Sequence, residues 1–334
     1  MNNKLTTLGG TASDVTVGKI AHGLMRMTWT AVPTPDEVAF EAIKAGVDTL
    51  PPDAKMILNS GEFYATDGST ANLDLLARFY EKYPDYAKKT FLSVKGKVGS
   101  SPENLRRSVD LINEKLRGTK KLDLYESARV DPSLPIEEAI QTLVVLKNEG
   151  KFGHIGMSES KAETLRRANA VHPIAAVEIE VSPWSYESET KKVIATAKEL
   201  NIAVVAYSPL GQGIFAGTIS KPEDLSADDY RRKFTRFKEE NINHNLTIVN
   251  ALSQLANKKG VTPAQLSISW VSSLGQHVIP LHGSSQCKRT LENLGASDIK
   301  LSAEELKEIH EILVNHEVKG DRYFGDDKAA MLWG

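Results

Sequence analysis

The chain has 334 residues, enough for one large α/β barrel or two ordinary domains, and its 41 Lys and Arg against 43 Asp and Glu give a formal charge of −2. No basic stripe favours a nucleic-acid partner, and the single Cys287 excludes both an intrachain disulfide and a cysteine zinc site. The N-terminal residues lack the apolar core of a secretory signal, and no apolar run approaches the roughly 18 residues of a membrane span. These two features predict a cytoplasmic protein without membrane association, and they leave entry into the nucleus open.

Residues 5–16, with Gly9 and Gly10 in the middle, predict a two-stranded cap over one end of the fold. Short apolar strands and helices then alternate. The predicted strands are residues 19–25, 56–59, 91–95, 122–127, 154–157, 176–181, 203–208 and 278–282. The predicted helices are residues 34–45, 72–83, 102–116, 135–149, 161–171, 187–200, 248–257 and 288–294, with further helices at 263–273 and 303–318, and residues 26–29 are predicted to be a loop.

Strict alternation requires parallel strands joined by right-handed crossovers, and eight such units close a (β/α)8 TIM barrel. An open doubly wound sheet is the alternative, but no Gly-x-Gly-x-x-Gly follows the first strand, so a dinucleotide would bind without the Rossmann loop. We therefore expect one domain over residues 1–334. A long charged loop at about 212–244 and the tail from Arg322 to Lys328 would lie over its mouth.

In such a barrel the chemistry lies at the carboxyl ends of the strands. Tyr64 follows one of these strands and Lys95 ends the next. A lysine ammonium beside a phenol would lower the tyrosine pKa from about 10 towards the working range and produce a proton donor. Taken singly, each residue is also compatible with a structural role, as a half-buried aromatic and as the end of an edge strand.

Several stretches together resemble the aldo-keto reductase family. The family's catalytic tyrosine turn is similar to Gly61-Glu-Phe-Tyr64, its lysine strand to Val94-Lys95, and its fifth strand to Lys151-Phe-Gly-His-Ile-Gly-Met-Ser-Glu159. The turn that wraps the nicotinamide is similar to Ala206-Tyr-Ser-Pro-Leu-Gly-Gln-Gly213. The segment that holds the adenosine phosphate is similar to Ile279-Pro-Leu-His-Gly-Ser-Ser-Gln-Cys-Lys-Arg-Thr-Leu-Glu-Asn-Leu-Gly295. These anchors run from the first strand to the last helix of the barrel.

The resemblance implies NADPH or NADP as the cofactor. Tyr207 would stack on the nicotinamide, and Ser158 with Glu159 or Glu178 would bind its carboxamide. The start of the predicted helix 288–294 has free backbone N–H groups that can bind a phosphate of the cofactor, and Arg289 can pair with that phosphate. The remaining candidates for cofactor binding are Met25, Ser208, Pro209, Leu210, Gly211, Gly213, Gly283, Ser284, Ser285, Glu292 and Asn293. Gly283 stands where some members carry a lysine, which predicts a weaker preference for NADPH over NADH.

The catalytic set departs from the family's usual Asp, Tyr, Lys and His. The aspartate position is Asn59 if no insertion is present, and Asp48 is the alternative. With Asn59 in that place Lys95 would be less neutralised, and we expect its field to depress the Tyr64 pKa more strongly. The histidine position is Ala128, which indicates either a dead reductase that binds cofactor or a wider pocket for a bulky polar aldehyde.

Within the family, the turn Asn59-Ser-Gly-Glu-Phe-Tyr64 and the segment Ala128-Arg-Val-Asp-Pro132 resemble the fungal pyridoxal reductases. This resemblance implies NADPH-dependent reduction of pyridoxal to pyridoxine, with Tyr64 as the proton donor. Trp29 is a candidate wall for the pyridine ring, and Arg129 is a candidate partner for its phenolic oxygen or a structural partner of Asp131.

Two alternatives remain, a general reductase of aryl or aliphatic aldehydes and an NADPH-binding regulatory subunit with little turnover. We expect a small-molecule aldehyde substrate, no metal, and a monomer or weak oligomer.

Overall fold

The computed structural model describes residues 4–217, 219, 221–227, 229–323 and 332–334. Eight parallel strands close into a barrel. In chain order these strands are β3 (Ala21–Gly23), β4 (Met56–Gly61), β5 (Thr90–Gly96), β6 (Leu124–Ser127), β7 (His154–Ser158), β8 (Ala176–Glu180), β9 (Ala203–Tyr207) and β10 (Val278–Gly283). Closure occurs at β10, which pairs with both β3 and β9. The predicted (β/α)8 TIM barrel is confirmed.

The predicted cap is a two-stranded antiparallel sheet made by β1 (Leu5–Thr7) and β2 (Thr16–Gly18). Leu8, Ala12 and Val17 pack with Ile57 and Ile279 in one buried cluster. The cap therefore closes the barrel at the amino-terminal ends of its strands, opposite the end where the chemistry is expected.

Helices surround the barrel and cover the outer faces of the strands. They are α1 (Met25–Thr28), α2 (Asp36–Val47), α3 (Ala71–Lys82), α4 (Tyr86–Lys89), α5 (Pro102–Leu116), α6 (Ile136–Asn148), α7 (Ala162–Val171), α8 (Ser188–Glu199), α9 (Glu239–Lys259), α10 (Pro263–Ser273), α11 (Cys287–Leu294) and α12 (Ala303–Asn315). No helix in the described part of the chain is both long and apolar enough to cross a bilayer.

Local sequence signals explain where several helices begin. The side chain of Ser101 accepts a hydrogen bond from the Asn104 N–H, and Pro102 occupies the first turn of α5. Thr262 and Gln265 cap α10 reciprocally, in the capping-box arrangement that satisfies two otherwise free backbone donors.

Several boundaries differ from the sequence predictions. Residues 25–28 form one helical turn rather than a loop. Helix α9 begins at Glu239, so the loop predicted for 212–244 ends earlier, because the acidic pair Glu239 and Glu240 stabilises a helix N-terminus instead of marking a loop. The connection before α9 contains short 3-10 turns, such as Gly211–Ala216 and Thr235–Phe237. In the predicted tail cover, Arg322 and Tyr323 are described, and residues 324–328 lie outside the described residues.

Candidate active site

Four polar side chains from different strands meet inside the carboxyl end of the barrel. Lys95 of β5 donates to Asn59 Oδ1 of β4 at 3.2 Å and forms a direct ion pair with Glu178 Oε1 of β8. Its Nζ also lies 3.5 Å from Glu126 Oε1 of β6. Asn59 in turn donates from Nδ2 to Glu178 Oε2 at 2.7 Å, and all four residues are buried.

This arrangement shows how the Lys95 charge is balanced without an aspartate at position 59. Two carboxyl groups face the ammonium, Glu126 from the adjacent β6 and Glu178 from β8 across the barrel, and Asn59 bridges Lys95 to Glu178. Burial opposes the charge on Lys95, but Glu178, Tyr64 and Glu126 together raise its pKa above the ordinary value. The expectation that Lys95 would be less neutralised is therefore wrong.

The alternative aspartate lies elsewhere. Asp48 ends α2, and its carboxylate accepts hydrogen bonds from the Tyr86 hydroxyl at 2.8 and 3.0 Å. Tyr86 lies on α4, outside the barrel wall. The structure thus brings Asn59, and not Asp48, next to Lys95.

Tyr64 is held by the turn that follows β4. Its carbonyl accepts from Thr28 Oγ1 at 2.6 Å, and the Glu62 N–H donates to the Lys95 carbonyl at 2.8 Å, which ties the turn to β5. Its ring packs against Gly61, where an added Cβ would lie 2.7 Å from a ring carbon. The phenol is thereby fixed close enough to Lys95 for that ammonium to act on its pKa.

Burial raises the pKa of Tyr64 to about 12, although Lys95 acts in the opposite direction. The predicted lowering of this pKa is wrong, because the sequence gives no measure of how completely the phenol is buried or of the carboxyls of Glu178 and Glu126 that also disfavour a phenolate. Tyr64 therefore keeps its proton at neutral pH. A protonated phenol is the form that can donate.

Around Tyr64, aromatic side chains and Arg129 form the mouth. Trp29 is 37% exposed, and its ring lies 5.8 Å from the Tyr64 ring and 5.9 Å from the Phe63 ring. The Arg129 guanidinium donates to the Ala128 carbonyl and to the Tyr323 hydroxyl and lies 5.3 Å from the Tyr323 ring centroid.

At the position of the family's histidine, the side chain of Ala128 is buried. The proposed partner of Arg129, Asp131, accepts from the Ser100 N–H and from Ser133. The mouth of the barrel therefore combines an apolar wall, made by Trp29 and Phe63, with the guanidinium of Arg129.

The nicotinamide candidates lie at the ends of β7 and β9. Ser158 is buried, and its hydroxyl has no hydrogen-bond partner among the described residues. Glu159 has a left-handed backbone, with φ of 50°, and accepts at Oε1 from the Tyr207 hydroxyl at 2.7 Å. An unpartnered buried hydroxyl fits a carboxamide, whereas Glu159 is already bound to Tyr207.

Arg322, in the C-terminal tail, also binds Glu159. Arg322 donates to Glu159 Oε2 at 2.8 Å and pairs with Glu180 Oε2 at 3.3 Å, and its guanidinium lies 4.7 Å from the Trp333 ring centroid. Since Glu178 is bound to Lys95 and Asn59, the two glutamates assigned from sequence to the carboxamide both have protein partners. Among Ser158, Glu159 and Glu178, it is the Ser158 hydroxyl that has no hydrogen-bond partner in the described part of the chain.

The turn after β9 runs through Ser208, Pro209, Leu210 and Gly211 to Gly213. Ser208 has φ of 50° and Gly213 has φ of 98°, so the chain bends sharply here. Ser267 Oγ donates to the Pro209 carbonyl at 2.6 Å and anchors the turn to α10. Arg231 of the following loop donates to the Gln212 carbonyl at 2.9 Å, which holds that loop across the turn.

The phosphate candidates lie at the end of β10, in the turn that follows it and on α11. Met25 is the first residue of α1 and is partly exposed. Ser284 accepts at Oγ from the Gln286 N–H at 3.3 Å, and α11 begins at Cys287, one residue before the predicted start. Ser285 and Glu292 are partly exposed and Arg289 is exposed, so their side chains can reach a ligand. A Cβ on Gly283 would meet nothing closer than 3.9 Å.

Asn293, a candidate for cofactor binding, is buried, and its amide lies 3.2 Å from His282 Nδ1. His282 and His22 stack with their ring centroids 5.3 Å apart, and burial lowers the pKa of His22 to about 4. Both rings are therefore neutral core residues at pH 7. No group of side chains in the described ranges could hold a metal ion.

Sequence reasoning left Glu126 and Arg322 out of the site. Glu126 could have been suspected, because it shares one face of the predicted strand 122–127 with Leu122 and Leu124, and a glutamate on such an apolar face needs a buried partner. Arg322 carries no local signal, since its partners lie more than 130 residues earlier.

Comparison with known proteins agrees with this geometry. A model of the aldo/keto reductase family matches residues 19–314. The chain therefore belongs to the aldo/keto reductase family, whose members are oxidoreductases that act on small molecules and generally use NAD(P)H.

Two yeast proteins and one solved structure are similar to this chain. The chain is 37% identical over 319 residues to a Schizosaccharomyces pombe protein named probable pyridoxal reductase 2, and the match covers 92% of this chain and 95% of that protein. It is 35% identical over 266 residues to the aldo-keto reductase yakc of the same yeast, whose name includes NADP(+), with 79% and 76% covered. The solved glycerol dehydrogenase of Gluconobacter oxydans shares the fold, with a TM-score of 0.80, 22% identity, and 97% and 100% of the two chains covered.

Proposed function

We propose that this protein reduces pyridoxal to pyridoxine with NADPH, and that Tyr64 donates the proton. The observation that carries the proposal is that Tyr64 and Lys95 are both buried at the mouth of the barrel, with the Lys95 ammonium held by Asn59 and Glu178. The similarity to probable pyridoxal reductase 2 supports the choice of substrate.

The cofactor, when bound, supplies the hydride that reduces the aldehyde carbon. The protein supplies the proton and the electrostatic environment. As the carbonyl oxygen gains negative charge, the O–H bond of Tyr64 breaks and its proton moves to that oxygen. Lys95 stabilises the phenolate that remains, and it is itself held in place by Asn59 and Glu178.

The residues at the two ends of the site fit a dinucleotide. Ser158 offers a buried hydroxyl, unpartnered among the described residues, at the end of β7. At the other end, the start of α11 presents backbone N–H groups below Ser284 and Ser285, with the exposed Arg289 one turn further on. A phosphate on the adenosine ribose would pair with Arg289, which supports NADPH over NADH.

The mouth fits a substituted aromatic aldehyde. Trp29 and Phe63 provide flat apolar surface next to Tyr64, and such surfaces stack on a pyridine ring. Ala128, where the family usually has a histidine, leaves room beside the reacting carbon. Arg129 would meet a phenolate oxygen on that ring, provided that Tyr323 yields its hydrogen bond.

The test is the loss of NADPH absorbance with pyridoxal, pyridoxal phosphate, a nitrobenzaldehyde and no substrate. We expect turnover with pyridoxal, a loss of about 10²–10⁴-fold in Tyr64→Phe, and NADPH affinity nearly unchanged. Tyr125→Phe is the matched control, because Tyr125 is also buried and its hydroxyl donates to Ser108, outside the site.

Other outcomes would select the alternatives. Turnover of the nitrobenzaldehyde alone would indicate a general aldehyde reductase. Tight NADPH binding with no turnover of any aldehyde would indicate the regulatory subunit. Full activity of Tyr64→Phe would contradict the mechanism.

A further inference from the structure

The buried cluster around Lys95 contains more acidic groups than basic ones. Lys95, Glu126 and Glu178 are 5%, 1% and 3% exposed, and they provide one ammonium for two carboxyl groups. An uncompensated charge in a dry protein interior is strongly unfavourable, so such a cluster retains a proton instead. Two carboxyls that share one site then titrate as a pair.

The contacts indicate which carboxyl keeps the proton. Glu178 is the better stabilised anion, because it touches Lys95 directly and accepts from Asn59 Nδ2 at 2.7 Å. Glu126 lies 3.5 Å from Lys95 Nζ, and its Oε1 has no hydrogen-bond partner in the described part of the chain. Glu126 is therefore the less stabilised of the two carboxylates, and a proton on it removes the buried charge that Lys95 does not fully compensate.

The largest electrostatic influences on Glu126 come from Glu178 of β8 and Lys95 of β5, and the titratable phenol of Tyr64 also interacts with it. From β7 it faces Gly156, where an added Cβ would lie 3.3 Å from Glu126 Oε2. Burial and the Glu178 charge raise the pKa of Glu126 well above its ordinary value, and Lys95 lowers it only in part.

We propose that Glu126 holds a proton at neutral pH and returns it, through Lys95, to Tyr64 after each reduction. The return step depends on the proposed function, whereas the protonated state of Glu126 does not. Because Glu126 acts through Lys95 and touches no reacting atom, it is a positioning residue that also stores a proton.

The step is a transfer of protons without any redox change. After Tyr64 has given its proton to the substrate oxygen, an N–H bond of Lys95 breaks and the Tyr64 O–H bond forms again. The O–H bond of Glu126 breaks while a new N–H bond forms on Lys95. Glu126 is left as a carboxylate and takes a proton from water before the next turnover.

The protonated state can be measured without cofactor or substrate. Infrared spectra near neutral pH, in water and in deuterium oxide, resolve the C=O stretch of a protonated carboxylic acid from the bands of carboxylates. We expect Glu126→Gln to remove one such acid band. Glu62→Gln is the matched control and should remove none, because Glu62 is also buried but is paired with Arg107 and Ser108.

If Glu126→Gln removes no acid band, or if a band disappears only in Glu178→Gln, the assignment of the proton to Glu126 is overturned. Glutamine keeps the shape and hydrogen-bonding capacity of a neutral Glu126, so the variant should fold. Its folding is checked by its circular dichroism and by the bands that it retains.

The return of the proton is tested by comparing single and repeated turnovers of pyridoxal by Glu126→Gln. The first turnover uses the proton already on Tyr64 and should stay within about twofold of wild type, while steady-state turnover should fall on the order of tenfold or more. Equal rates in both phases would refute the return step. If neither protein reduces any aldehyde, the proposed function fails, and the infrared result still decides the protonation of Glu126.

Discussion

Asn59→Asp is the substitution that most directly tests the charge balance around Lys95. It restores the aspartate that the family usually carries, so a comparison of sequences alone would predict a neutral or improved enzyme. In this structure Asn59 Nδ2 donates to Glu178 Oε2 at 2.7 Å, and the substitution would place two carboxylate oxygens at that distance. Lys95 already faces Glu178 and Glu126, so it cannot also neutralise the new charge.

The expected magnitude follows from the pKa. Two unit charges at this distance repel by about 6 kcal/mol even at an effective dielectric constant of about 20, so the new side chain takes up a proton. Keeping an aspartic acid of ordinary pKa about 3.9 protonated at pH 7 lowers the free energy of unfolding by about 4 kcal/mol. This acid has a raised pKa in the folded state, so the loss should grow as pH rises and shrink to about 1.5 kcal/mol near pH 5.

The assay is urea unfolding of wild type, Asn59→Asp and Asn59→Ala at several pH values between about 5 and 7. The alanine variant loses the same hydrogen bonds without adding a charge, so its deficit should not depend on pH. An aspartate variant as stable as wild type at pH 7, or one whose deficit does not change with pH, would refute the reasoning.

Three further substitutions test other parts of the site. Gly283→Lys should tighten NADPH binding about fivefold relative to NADH, since the position is open and one added cation near a phosphate contributes about 1 kcal/mol; equal effects on both cofactors in fluorescence titrations would contradict this. Arg322→Met should lower the free energy of unfolding by about 3–5 kcal/mol, because it leaves Glu159 buried without its cation, and an unchanged urea midpoint would argue against the buried ion pair. Asp48→Asn should change stability by less than about 0.5 kcal/mol and leave turnover intact, because the Asp48 carboxylate binds the exterior Tyr86; a large loss of turnover would return Asp48 to the site.

The barrel itself was predictable from the sequence. The alternation of short apolar runs with amphipathic helices fixes the number of βα units, and eight units are the number that closes a barrel. Boundaries were less predictable where a charged stretch can be either loop or helix, as at Glu239 and Glu240.

The same alternation is enough to place Asn59, Tyr64 and Lys95 at one end of the barrel, because parallel strands end on the same side. The short motifs around Tyr207 and Ser284 likewise predict a dinucleotide site. What these patterns determine is which end of the fold carries the chemistry and which residue types are available there.

The protonation of the site was decided only by the tertiary structure. Glu126 contacts Lys95 from the neighbouring strand β6, in register with it, whereas Glu178 contacts Lys95 from β8 across the closed barrel. Burial, which no local pattern measures, raises the Tyr64 pKa that the sequence predicted to be lowered. The sequence alone therefore determined the scaffold and the candidate residues, and the packed barrel decided their charges, because a pKa depends on every group within a few ångströms and on the exclusion of water.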